Sequence, residues 1–164
     1  MKKLAMMLTM VCIILGLTAC GGNKEEPKKQ MTAEELLTAL KEKVPEVGEI
    51  VAYTEETDPN ENLGRPGEYI GKADFEDTTL EQLGEYLCGG TIEVFSSKSD
   101  CNDRYKYLGK MSDPELGAFG VNQYIFKYDL VIFRVDYDVT PSKAEEYKTA
   151  MDEILGEVSE QYGS

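Results

Sequence analysis

From Leu130 to Val139 apolar and polar side chains alternate, with Val131, Phe133, Val135, Tyr137 and Val139 in one phase and Ile132, Arg134, Asp136 and Asp138 in the other. Alternation over this length places one set of side chains against a core and turns the other, increasingly polar set away from it. Gln123 to Lys127 precedes this run across a tight connection at Tyr128-Asp129, so the two segments read as a β-hairpin. Thr140-Pro141 follows at once, with proline at its favoured first helical position. Beyond it Ala144, Tyr147, Met151, Ile154, Leu155 and Val158 recur at helical spacing. A stripe of that kind is a core face, and it gives the hairpin something to pack against.

The remaining elements are shorter. Thr32 and Glu35 form a capping box ahead of Leu36, Leu37, Leu40 and Val44, and Pro45 ends that helix. Strands are expected at Glu49–Thr54, Glu68–Phe75 and Thr91–Phe95. A polar loop at Glu55–Gly67 separates the first two of these. Thr78 and Glu81 repeat the capping-box spacing before Leu80, Leu83 and Leu87, which predicts a short helix stopped by Gly89-Gly90. Ser97 caps a further helix that runs to about Lys110, with Cys101, Tyr105 and Leu108 inward. The order is α-β-β-α-β-α-β-β-α. It implies an α+β domain with a mostly antiparallel sheet of about five strands and helices packed on one face.

The N-terminus carries a different message. Lys2 and Lys3 precede an apolar run, Leu4 to Leu17, that is shorter than the roughly 20 residues needed to span a bilayer. Leu17-Thr18-Ala19-Cys20 follows and resembles the lipobox of bacterial lipoproteins. Residues 1–19 are thus expected to be a lipoprotein signal peptide, and Cys20 the lipidated residue, anchored stably once it carries two or three acyl chains. Gly21 to Gln30 (GGNKEEPKKQ) has no large apolar residue and reads as a polar tether reaching roughly 15–20 Å if flexible. Residues 31–164 are then one domain, large enough to bury a core.

Composition narrows the chemistry. The chain has no histidine, which removes Ser-His-Asp and Cys-His catalysis, histidine-bearing zinc sites and histidine pH switches. Its net charge of −14 disfavours nucleic acid and a polybasic grip on anionic lipid. Of four cysteines, Cys12 lies in the signal and Cys20 in the lipobox, leaving Cys88 and Cys101. An exported pair invites a disulfide. These two, however, should sit near opposite ends of one βα unit, beyond the roughly 7 Å that a bridge allows between Cα atoms. The bond therefore stays open.

Tyr53 to Asn60 (YTEETDPN), Gly64 to Tyr69 (GRPGEY) and Gly89-Gly90 followed by Ile92 to Phe95 together resemble motifs of a group of small lipoproteins from Gram-positive bacteria. The resemblance covers most of the domain and implies an envelope location, but it carries no activity with it. Physically, Asp58, Asn60 and Asn62 offer oxygens at the alternate spacing of a calcium loop, although Leu63 replaces the turn glycine and Tyr69 the bidentate glutamate. Asx turns explain the same residues, so no metal is assigned. Arg65 and Arg134 are expected to have carboxylate partners. The alternative is that both converge with Tyr53 and Tyr69 as a clamp for an anionic ligand group. No catalytic constellation and no cofactor site is legible. The expectation is a membrane-anchored, extracytoplasmic, non-enzymatic binding module for a small anionic ligand or an envelope protein. An accessory subunit of an envelope complex is the alternative, and a carboxylate- or metal-dependent enzyme comes third.

Overall fold

The computed structural model describes residues 30–84, 87–112 and 123–163, so the signal segment, Cys20 and most of the tether lie outside the described residues. The α+β class holds. The elements are α1 (Ala33–Lys43), β1 (Val47–Ala52), β2 (Gly71–Asp77), β3 (Gly89–Val94), α2 (Lys98–Met111), β4 (Gln123–Tyr128), β5 (Val131–Asp136), α3 (Pro141–Leu155) and β6 (Glu160–Tyr162). The strands form one six-stranded antiparallel sheet in the order β1-β2-β3-β5-β4-β6.

Local signals place the helices where they were expected. At α1 both capping-box bonds are made, Glu35 N donating to Thr32 Oγ1 (3.1 Å) and Thr32 N to Glu35 Oε2 (2.8 Å). Ser97 and Thr140 cap α2 and α3 by their side-chain oxygens, which accept from Asp100 N and Lys143 N, and Pro141 opens α3. The hairpin of β4 and β5 turns through Asp129, whose φ of 38° is left-handed.

Four expectations need correction. First, no helix forms over the described part of residues 78–87. β2 and β3 are instead a hairpin whose pairing continues to Asp77 N→Cys88 O at 2.8 Å. A ten-residue helix would carry the chain about 15 Å away, whereas this connection must return to within one strand spacing. Gln82 closes it, its Nε2 donating to Asp77 O (3.1 Å) and its Oε1 accepting from Cys88 N (2.7 Å). Gly89-Gly90 accordingly begins β3 and does not stop a helix. A Cβ on Gly90 would lie 2.2 Å from Arg134 O and 2.6 Å from the Phe75 ring, so the close approach of β2, β3 and β5 requires glycine.

Second, the helices do not share one face. α1 and α3 cover the face that carries Ala73, Phe75, Ile92, Val94, Phe126 and Phe133. α2 lies across the other, packing Cys101, Tyr105 and Leu108 on Ile125 and Ile132, with Leu63, Tyr69 and Phe95 completing that second cluster. Third, β5 stops at Asp136 and the chain turns through Val139 N→Asp136 O, which leaves Tyr137 58% exposed and stacked on Tyr124 at 5.0 Å. Fourth, the sheet gains β6, a three-residue strand with no sequence signal of its own. Cys88 and Cys101 are not bridged.

Candidate functional site

Because α2 covers it, the polar phase of the sheet is buried, and every charge on it must find a partner. Antiparallel register sets Lys72 beside Glu93 and Arg134 beside Thr91. Glu93 has no exposed surface, and Arg104 reaches it from α2 as a fork, Nε to Oε2 at 2.9 Å and Nη2 to Oε1 at 2.7 Å. Arg134 Nη2 adds a third bond to Oε1 at 3.1 Å. Burial pushes the Glu93 carboxyl up, but the charge of Arg134, the bonds and charge of Arg104 and the charge of Lys72 outweigh it, so the net direction is down. Arg134 continues the chain of contacts through Nη1 to Gln123 Oε1 (3.1 Å), Gln123 Nε2 to Asp136 Oδ1 (2.8 Å) and Gly89 N to Asp136 Oδ2 (2.9 Å).

A second buried centre forms at Asp58. Its Oδ2 accepts from Asn62 N (2.9 Å), Leu63 N (3.0 Å) and Tyr69 Oη (2.7 Å), and its Oδ1 accepts from Asn60 N (3.2 Å) and Lys72 Nζ (3.0 Å). Desolvation raises this carboxyl, yet five donors hold it well below the ordinary carboxylate range. The loop is thus organised by an inward-facing aspartate whose lone pairs are taken by N–H and O–H groups. The calcium geometry would need those lone pairs pointing the other way.

The four candidate ligand residues are not assembled into one open clamp. Arg65 stands on the loop with its side chain 60% exposed and only a 3.5 Å contact to Glu61. Arg134 is turned into the Glu93 cluster. Tyr69 is fully buried and gives its hydroxyl to Asp58, while Tyr53 donates to Asp74 Oδ2 at 2.8 Å. Burial first, and then those carboxylates, raise both phenols. Tyr53, Tyr69 and Arg134 thus belong to one polar face, with Lys72 4.6 Å above the Tyr53 ring, but they brace the sheet and the loop. Sequence reading missed Asp58, Lys72, Glu93 and Arg104 as members of this network. The signal for Lys72 and Glu93 is a charge inside an expected strand, in the phase opposite to Ala73 and Phe75 and to Ile92 and Val94.

Several concavities of the described surface have room for a small ligand, and one of them lies at the end of the sheet beside Gln30. A groove of about 770 Å³ runs between the start of α1, the first turn of α2, the β4–β5 turn and the end of α3. That is within the usual size of small-molecule sites, roughly 300–1,000 Å³. Met31, Leu130, Val131, Ile154 and Leu155 make its floor, and Lys98, Lys127, Asp129 and Glu157 stand around it. Its walls are tied through Phe95, whose N donates to Leu130 O (2.8 Å) and whose O accepts from Gln30 Nε2 (3.1 Å). Lys98 pairs with Asp129 at 2.6 Å, and Lys127 with Glu160. The arrangement suits a ligand with an apolar body and few charges. Cys101, on the buried face of α2, offers no nucleophile, because burial pushes its thiol up to about 12. No protein-family model, curated protein or solved structure matches the chain.

Proposed function

We propose that the chain is a lipid-anchored, extracytoplasmic binding module without chemistry of its own, and that its ligand occupies the groove beside Gln30. The likeness to small Gram-positive lipoproteins and the anchor at Cys20 belong to the same proposal. The observation that carries it is the position of the groove. Gln30, the last residue of the expected tether, lines its rim, so a domain held by Cys20 would keep an apolar-floored site within a tether's length of the membrane surface. The buried charges support the non-catalytic reading, since the Asp58 and Glu93 carboxylates are committed to structural donors.

Two measurements on the full chain test it. Detergent partition should place the wild type with the membrane phase and Cys20→Ser in the aqueous phase, and equal partition would refute the anchor. Native mass spectrometry of the purified protein should find a small molecule that is lost from Leu130→Asp and Ile154→Asp, two half-buried floor positions. A wild type that is empty, with a protein partner that still binds both variants, would move the assignment to docking on an envelope complex.

A further inference from the structure

Among the described residues the outer edge of β4 (Gln123–Tyr128) is covered by the short strand β6, with Ser159 N also donating to Lys127 O at 2.9 Å. The pairs are Ile125 with Tyr162, Phe126 with Gln161 and Lys127 with Glu160. All three residues of β6 are exposed, so apart from part of the Tyr162 ring the strand buries little apolar surface, and a segment of that kind opens at low cost. What lies under it is nonetheless shaped. Lys127, itself buried, takes the Glu160 carboxylate, and the Tyr162 ring stacks on Tyr105 at 4.7 Å. The slot for that ring exists because residue 109 is glycine: a Cβ there would sit 2.4 Å from the ring.

We infer that the outer edge of β4 is a strand-binding site, and that the chain's own C-terminal strand occupies it in cis until a partner displaces it. This goes beyond the groove and does not depend on it. The partner is an extended polypeptide segment with a carboxylate two residues before an aromatic side chain. Main-chain pairing along β4 supplies the affinity, while Lys127 and the Tyr105–Gly109 slot supply the selection. The cis strand competes through its high effective concentration, so the site is closed by default.

The test compares the full chain with one ending at Val158, using a fluorescent peptide of residues 157–163 (EVSEQYG) as the probe. The truncated chain should bind it saturably, alanine in place of the peptide's Glu160 or Tyr162 should weaken binding by about tenfold, and the full chain should bind at least tenfold more weakly. A folded truncated chain that ignores the peptide, or that does not distinguish the alanine peptides, overturns the site. Equal binding by the full chain overturns the closure. If truncation unfolds the domain, full-length Tyr162→Ala decides: saturable peptide binding by this variant that the wild type lacks supports the site, and no binding by the variant refutes it. A full chain that runs as a dimer through exchanged β6 strands, resistant to the peptide, would replace the partner segment by a second copy.

Discussion

The two faces of the sheet solve the same problem in opposite ways. Under α1 and α3 the face is apolar and aromatic, with Phe133 between Phe75 and Phe126 at centroid distances of 6.0 Å each, and Tyr147 against Phe75 at 5.3 Å. Under α2 the face is equally buried but holds Lys72, Glu93, Lys127 and Arg134. The first face is stabilised by area removed from water and by close packing. The second costs desolvation, and it is offset only while every charge keeps its partner. An apolar face therefore tolerates conservative repacking, whereas the charged face tolerates replacement as a whole and resists loss of any single member.

That contrast can be broken from either side. Phe133→Ala should cost about 3–5 kcal/mol in urea unfolding, the usual range for deleting a buried aromatic ring. Glu93→Ala should cost a similar ~3–5 kcal/mol because it strands two buried guanidinium groups. Replacing the cluster together, as Glu93→Leu with Arg104→Met and Arg134→Leu, should instead leave stability unchanged or raise it by ~1–4 kcal/mol. If the triple variant is as damaged as the single one, the cluster is more than a paired burial.

Tyr147→Phe tests a polar spot in the apolar face. Its hydroxyl donates to the fully buried Asp77 Oδ2 at 2.9 Å, so its removal should cost ~1–3 kcal/mol. A smaller, pH-dependent effect separates the faces again. The Glu93 and Asp58 carboxyls are both held below their ordinary values, so their contributions are fully present above the unfolded-state values near 4. They are lost as pH falls through the lower folded values. Acid unfolding curves of the triple variant should be flatter in that window than those of the wild type. Smallest of all, Arg65→Ala should change stability by under ~0.5 kcal/mol, since its side-chain ion pair with Glu61 is long and exposed.

Most of the fold was legible because its signals are local. The Thr32–Glu35 box, the Ser97 and Thr140 caps and the alternation along β5 each act within a few residues of the chain, and all three helices stand on them. The same local logic failed at Thr78–Leu87, where a capping-box spacing was present but the closing of a β-hairpin overrode it. It failed again at Tyr137, where a turn ended the alternation, and at Glu160–Tyr162, which is strand only because β4 lies beside it.

The candidate site was less legible than the fold. Arg65 and Arg134 are chemically alike in sequence, yet one is solvated on a loop and the other is locked into Glu93, 41 residues away. The groove is a space left between the starts of α1 and α2, the β4–β5 turn and the end of α3, and no residue type announces it.

Sequence alone determined the helix caps, the hairpin, the absence of histidine chemistry and the acidic balance, since each depends on residue identity and short-range geometry. Tertiary structure alone decided that the polar phase of the sheet is covered by α2, and hence that its charges are internal. That outcome follows from which face a helix returns to, and from the requirement that charges brought out of water meet partners distant in the chain.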